Sequence, residues 1–155
     1  MKRNILRGFT MLTLIVTVAF VTAVASANAQ SRAVVANIPF EFTVGEKALP
    51  TGQYMVRAAT QGSNAMVVEN RRSGKAAIRL SNPIHKLNAS EETKLVFHRY
   101  GARYFLAEIW VGGETSGCQL LKSKEEKTIE SQLAAIFPKG EQSSYDIVEV
   151  VASLR

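Results

Sequence analysis

The chain has 155 residues, and its 19 Lys+Arg against 13 Asp+Glu give a formal net charge of +6 at pH 7. A single Cys excludes a disulfide framework within the chain. A chain of this length fits one domain, which can bury a hydrophobic core without disulfides.

Residues 1–29 have the three-part layout of a secretory signal peptide. Basic residues stand near the start, an uncharged apolar run covers residues 9–24, and Ala27 and Ala29 occupy the −3 and −1 positions of a cut before Gln30. We therefore expect export, to the periplasm or beyond, after cleavage near Ala29/Gln30. Contact with a membrane is expected only through the signal segment before cleavage.

The alternative for this segment is an uncleaved anchor. The apolar run has sixteen residues, which is short for a bilayer span of about 20 residues, and the Ala27-x-Ala29 site favours cleavage. Cleavage would remove three basic residues and no acidic ones, which lowers the net charge to +3. The basic balance therefore partly reflects the export signal, and we expect no nucleic-acid partner.

The first half of the mature segment predicts antiparallel strands. Apolar residues alternate with others over residues 34–44, which predicts a strand with one buried face. Pro39 cannot donate a ladder hydrogen bond, so this strand is expected at a sheet edge or with a bulge. Residues 49–52 (Leu-Pro-Thr-Gly) predict a type I turn. Further strands are predicted over residues 53–59, 65–70 and 75–81.

The next segments predict a long loop and two strong strands. Residues 82–92 contain Pro83 and few apolar side chains, so they are expected to form the longest loop of this half. Strands are predicted over residues 94–100 and 103–111. The second of these is apolar on both faces, which predicts a central strand that is covered on both sides.

After Gly112-Gly113 the hydrophobic period becomes helical. Ser123-x-x-Glu126 is a capping box, and Ile129, Leu133, Ile136 and Phe137 follow at helical spacing until Pro138 and Gly140 end the helix. A second box, Ser116-x-x-Gln119, allows an earlier start. Residues 145–152 predict a closing strand.

These elements predict a mainly β fold. We expect a small antiparallel sandwich or half-open barrel of about seven strands, with one helix in the C-terminal half before the last strand. Residues 30–155 are expected to form a single β-rich domain that follows the signal peptide of residues 1–29.

One segment carries a resemblance to a group of known proteins. The stretch Phe42-x-Val44-Gly45-x-x-x-Leu49-Pro50-x-Gly52-x-Tyr54-x-Val56 resembles the opening of short exported, largely uncharacterised bacterial β-proteins with a signal peptide. The resemblance implies export and β architecture, and it implies no catalytic residue. The residues themselves have structural roles, and Gly45 permits a positive φ at the strand exit.

The lone thiol is the first candidate for chemistry. A cysteine hydrolase would need Cys118 near His85 or His98. A helix that began at Ser116 would place Cys118 in its first turn, where the dipole favours a thiolate. We favour a small packed side chain between sheet and helix instead. The two histidines, without a second Cys, do not match zinc-ligand spacings, so no metal or cofactor is expected.

Carboxylates and sequence motifs add no firmer site. Glu41, Glu69 and Glu108 are all expected on strands, where a glycosidase pair could form, but solvated faces are the better interpretation. The sequence holds no P-loop, nucleophile-elbow, zinc-protease or dinucleotide motif. We therefore assign no catalytic, cofactor-binding or metal-binding residue.

Two classes of function remain. The favoured one is an exported non-catalytic β-domain, a binding or envelope-associated structural protein of unknown ligand, whose partner is another envelope protein or a polysaccharide. Four aromatic residues could stack on sugars, although core packing is expected for at least half of them: Tyr54, Tyr100, Tyr104 and Trp110. The alternative is a small extracytoplasmic, hydrolase-like enzyme with Cys118 as the residue to test first.

Overall fold

The computed structural model describes residues 32–136 and 145–155, which form ten strands and one helix. The strands are β1 (Ala33–Ile38), β2 (Phe42–Val44), β3 (Lys47–Leu49), β4 (Gly52–Ala58), β5 (Ala65–Glu69), β6 (Ala76–His85), β7 (Lys94–Tyr100), β8 (Arg103–Trp110), β9 (Ser116–Leu120) and β10 (Asp146–Leu154). Helix α1 (Lys124–Ile136) lies between β9 and β10. The predicted signal peptide, Phe137 and the helix stop at Pro138 and Gly140 lie outside the described residues.

Eight of the strands close into an antiparallel barrel. Hydrogen-bonded neighbours follow the order β8-β7-β10-β1-β4-β5-β6-β9, and a further pairing of β9 with β8 joins the two ends. The expected mainly β class, with one helix before the last strand, is confirmed. The barrel is closed, and its closure gives every barrel strand a neighbour on both sides.

The two remaining strands form a hairpin. Strands β2 and β3 pair across a two-residue turn at Gly45 and Glu46, and β2 also pairs in parallel with β8. Gly45 has φ +63°, which confirms the positive φ that the sequence predicts there. The hairpin sends Phe42 and Leu49 into the barrel core, where Phe42 packs edge-to-face on Tyr54 with ring centroids 4.9 Å apart.

Pro39 divides the first predicted strand into two. The expectation of one strand over residues 34–44, at an edge or bulged, is wrong, because β1 ends at Ile38 and pairs on both sides with β10 and β4. A residue without an N–H cannot continue a strand that is paired on both sides. The chain therefore breaks at Pro39, and Phe40 packs beside the barrel against Tyr104 at 4.0 Å between centroids.

Strand β6 is longer than the sequence predicts. The expected loop over residues 82–92 is shortened, because β6 continues to His85 and pairs with β9 through the register Pro83↔Cys118. Only every second residue of β6 forms hydrogen bonds with the partner strand of this antiparallel ladder. The Leu121 N–H donates to the Leu80 carbonyl, and the Lys86 N–H donates to the Thr115 carbonyl. By this alternation the backbone nitrogen of Pro83 points away from β9, toward the side where β5 has ended. The ladder therefore loses no hydrogen bond because proline lacks an N–H.

Residues Ser116–Leu120 form β9 rather than the start of the helix. The possible earlier box at Ser116 is therefore wrong. Strand β9 pairs with both β6 and β8 and closes the barrel, so long-range pairing outweighs the local capping pattern.

Both faces of β8 are covered, as predicted. A register shift opposite Val96 and Phe97 leaves an extra residue on β8, so Leu106 and Ile109 both reach the barrel core. Phe105 and Trp110 are buried outside that core cluster. Simple alternation along β8 therefore ends at the bulge.

Side chains fill the barrel interior. An eight-stranded barrel is just wide enough for its inward side chains to meet. The buried core consists of Val34, Ala36, Ile38, Phe42, Val44, Leu49, Tyr54, Val56, Met66, Val68, Ala77, Leu95, Phe97, Leu106, Ile109 and Leu120. Residues Arg32–Arg155 form one compact unit around it.

Candidate functional site

The residues proposed for a cysteine hydrolase do not assemble. Cys118 lies on β9 and packs partly buried against the barrel core. His98 lies on the outer face of β7, since its neighbour Phe97 belongs to that core. His85 is exposed at the end of β6. No hydrogen bond joins either histidine to the thiol within the described residues, and Cys118 is not at a helix start.

The three carboxylates considered from the sequence have separate surroundings. Glu41 lies between β1 and β2, so its expected place on a strand is wrong. Glu69 on β5 is 3.9 Å from the Arg57 guanidinium. Glu108 on β8 accepts a hydrogen bond from the Trp110 indole at 2.7 Å. These contacts give ordinary structural roles to Glu69 and Glu108.

The candidate sugar-stacking aromatics are mostly buried. Tyr54, Tyr100 and Trp110 are buried, and Tyr104 is half-buried against Phe40. The Tyr54 hydroxyl donates to the Pro50 carbonyl at 2.8 Å, and burial, partly offset by a hydrogen bond from Asn70, raises the Tyr54 pKa. Burial therefore removes most of these rings from the surface, and the possible sugar platform is not formed.

A buried histidine–glutamate pair lies between β7 and the start of α1. His98 Nδ1 is 2.9 Å from Glu126 Oε1, and the two residues are 5% and 4% exposed. Ser123 caps the helix, because its hydroxyl accepts a hydrogen bond from the Glu126 N–H at 3.0 Å. The predicted cap at Ser123 is confirmed, whereas the Glu126 carboxylate binds His98 instead of turning back to the cap.

Two tyrosines enclose this pair. The Tyr145 ring stacks on the His98 imidazole with centroids 3.9 Å apart. Tyr100 is buried beside them, and its hydroxyl lies near the Glu126 carboxylate but makes no hydrogen bond of normal geometry in the described part of the chain. Burial, and then the negative charges of Glu126 and Glu130, raise the Tyr100 pKa far above its ordinary value. Tyr100 is therefore a neutral phenol over the physiological pH range.

A cleft of about 350 Å³ borders the pair and is named here the α1 cleft. Its polar lining comprises Arg79, His98, Gln119, Lys122, Glu126 and Lys127. The Arg79 guanidinium donates to the carbonyls of Leu121 and Lys122 at 2.7 and 2.6 Å, which holds it rigidly. Chemically, the cleft offers a buried imidazole, an amide and cationic side chains.

The sequence suggested His98 only as a partner for Cys118 or as a metal ligand, and it did not connect His98 with Glu126. The two residues are separated by 28 positions, so no local pattern links them. One signal was present, since a histidine between apolar residues of a strand, as His98 is, is a polar group that needs a partner when it is buried. The described residues contain no group of three or more potential metal ligands.

In the described ranges no helix is both long and apolar enough to cross a membrane. Comparison with known proteins gives no significant match: no family model, no curated protein and no solved structure is similar to this chain. The function must therefore be argued from the molecule itself.

Proposed function

We propose that this protein is an exported, non-catalytic β-barrel domain that binds another protein of the bacterial envelope. Export is supported by the layout of residues 1–29, with a cut near Ala29/Gln30, and by the resemblance at residues 42–56 to exported bacterial β-proteins. The domain would act in the periplasm or after secretion.

A strip of exposed aliphatic side chains carries the binding proposal. Ile78 and Leu80 project from one face of β6 and are 67% and 56% exposed. Leu121, 41% exposed, lies beside Leu80, because its N–H donates to the Leu80 carbonyl at 2.9 Å. We call these three residues the β6 strip. Single exposed aliphatic residues are common, whereas adjacent ones on a rigid sheet are typical of a contact surface.

A protein partner is favoured over a polysaccharide. Sugar recognition commonly uses exposed aromatic rings, and the candidate rings are buried or half-buried. Aliphatic side chains bind best to other apolar surface, because burial of such surface drives protein association. The hydrolase-like alternative has weaker support, since Cys118 and His98 lie on opposite faces of the barrel wall. His85 lies two residues along the β6–β9 ladder from the position opposite Cys118, but no hydrogen bond joins it to the thiol in the described ranges.

Site-specific photo-crosslinking in cells tests this function. A photoreactive amino acid at Leu80 should give one discrete adduct with another envelope protein, and Ile78→Asp should abolish it. The same group at Ser153, an exposed residue of β10 that lies across the barrel from β6 in the strand order, is the matched control. Identical adducts from both positions, or adducts only with a second copy of the chain, would contradict the proposal.

Export has its own test. Intact-mass measurement of the exported protein should give a mature chain that begins at Gln30. A species that retains residues 1–29 and partitions with membranes would show that the uncleaved anchor is correct.

A further inference from the structure

We propose that β6 receives an extended segment of the partner protein, which adds as a strand to a free edge of β6 beside the β6 strip. This inference rests on the proposed binding function, because it names the conformation and chemistry of the segment that the partner presents. The observation that carries it is a stretch of β6 that is paired on one side only and bears exposed aliphatic side chains.

Strand β6 changes neighbours in its middle. Residues Ala76–Leu80 pair with β5, whereas Ser81–His85 pair with β9. Strand β9 ends at Leu120, opposite Ser81, because the chain then leads into α1. On the side away from β5, the β2–β3 hairpin approaches the first half of β6 without forming a ladder with it in the described ranges. We call this side of Ala76–Leu80 the β6 edge.

The backbone groups of Ile78 point toward the β6 edge. In an antiparallel ladder only every second residue bonds to a given neighbour. Lys75 and Ser81, on either side of this stretch, form hydrogen bonds with the residues that flank β5. The odd-numbered positions of β6 between them therefore face β5, and the even-numbered positions face the β6 edge. The N–H and C=O of Ile78, in the middle of that edge, have no hydrogen-bond partner in the described part of the chain.

The two carbonyl groups on either side of Ile78 along the β6 edge are already bonded. The Ala76 carbonyl accepts a hydrogen bond from Lys47 Nζ at 2.6 Å, and the Leu80 carbonyl accepts one from the Leu121 N–H at 2.9 Å. A lysine at a strand edge commonly protects it against unwanted pairing. The strongly exposed side chains of Ile78 and Leu80 have the opposite effect, because an exposed apolar edge favours the addition of another strand.

An extended segment matches both the backbone and the side chains of the β6 edge. Its own N–H and C=O groups can bond to those of Ile78, whereas the backbone groups of a helix are bonded within the helix. Ile78 and Leu80 are two residues apart and face the same way, so alternate residues of an added strand would pack on them. We therefore expect a partner segment with aliphatic side chains at alternate positions.

Photo-crosslinking in cells from two positions tests the geometry of the pairing. A photoreactive amino acid at Ile78 and, in a separate chain, at Leu80 should each give an adduct with the partner, and mass spectrometry of the digested adducts identifies the residues that they reach. In an added strand these residues should lie about two positions apart in the partner, whereas a docked helix would give a spacing of about three or four. A helical spacing, or adducts on unrelated segments, would overturn the inference.

Ile78→Pro separates the backbone contribution from that of the side chains. The change removes the N–H that faces the β6 edge and keeps an apolar residue, and β6 already contains Pro83 with its nitrogen turned away from β9. With the photoreactive group at Leu80, Ile78→Pro should lower the adduct yield by about tenfold, since one hydrogen bond can no longer form. Ile78→Val keeps the N–H, is the matched control and should retain most of the adduct.

The outcomes separate this inference from the proposed function. Equal adduct yields from Ile78→Pro and Ile78→Val would reject the added strand and leave the proposed protein partner intact. No adduct from Leu80 in the otherwise unchanged chain would reject the partner and, with it, the added strand. Circular dichroism and urea unfolding check that Ile78→Pro is folded. The spacing of the two crosslinks uses no proline variant, so it decides the question if Ile78→Pro does not fold.

Discussion

Replacement of Gly117 by Ala should destabilise the barrel through a steric clash. Gly117 lies on β9 opposite Trp110 of β8. A methyl group there would lie 2.7 Å from Trp110 Cε3 and 2.9 Å from the Ile109 carbonyl oxygen. These distances are far below ordinary van der Waals contact, so the neighbours must move.

The neighbours cannot move freely. Trp110 is buried, its indole N–H donates to Glu108 at 2.7 Å, and the Lys86 ammonium lies 3.9 Å from its ring centroid. The Ile109 carbonyl belongs to a strand paired on both sides. Overpacking of this kind costs about 1–3 kcal/mol. Without the clash, Gly→Ala on an extended backbone stabilises by about 0.4–1 kcal/mol. The steric contact with Trp110 therefore decides whether the free energy of unfolding rises or falls.

Urea unfolding, followed by the fluorescence of Trp110, the single tryptophan of the chain, measures the effect. The free energy of unfolding should fall, and each kcal/mol lost should lower Tm by roughly 3–6 °C in a domain of this size. Trp110→Leu in the same chain, followed by circular dichroism, should relieve most of the additional cost of Gly117→Ala. A Gly117→Ala variant as stable as the parent, or more stable, would refute the reasoning.

Three further predictions concern single residues. Gly45→Val should cost a few kcal/mol, about 1–3 from strain at φ +63° alone, and an unchanged Tm would contradict it. Cys118 should react slowly with a thiol reagent in the native protein and fully in urea, and Cys118→Ser should cost about 1 kcal/mol; fast native labelling that slows when His85 is replaced would show an activated thiol. Tyr100→Phe removes a buried hydroxyl that makes no hydrogen bond of normal geometry, so urea unfolding at neutral pH should show equal or greater stability. Because folding raises the Tyr100 pKa, the stability that depends on a neutral Tyr100 phenol is present below about pH 10 and is lost as pH rises further. The variant has no phenol at this position, so it should lose less stability above about pH 10 than the parent. Tyr54→Phe, which breaks the bond to Pro50, is the control and should cost about 1 kcal/mol.

Local patterns in the sequence determined most of the element types. Alternation predicted strands where β1 and β4 lie, because a strand with one buried face places every second side chain in the core. Strands were also predicted at the positions of β5, β7, β8 and β10. Ser123 predicted the start of α1, since a capping hydroxyl acts within one turn. Gly45 predicted a positive φ, because that conformation depends on the residue itself.

Only the tertiary structure decided how these elements pair and which polar groups meet. Pro39 ends a strand because β1 is paired on both sides, and Ser116 begins a strand because β9 closes the barrel between β6 and β8. The His98–Glu126 contact joins residues 28 positions apart across a helix and a strand. Strand pairing and buried polar contacts gain their free energy from partners distant in the chain, so local composition and periodicity do not specify them.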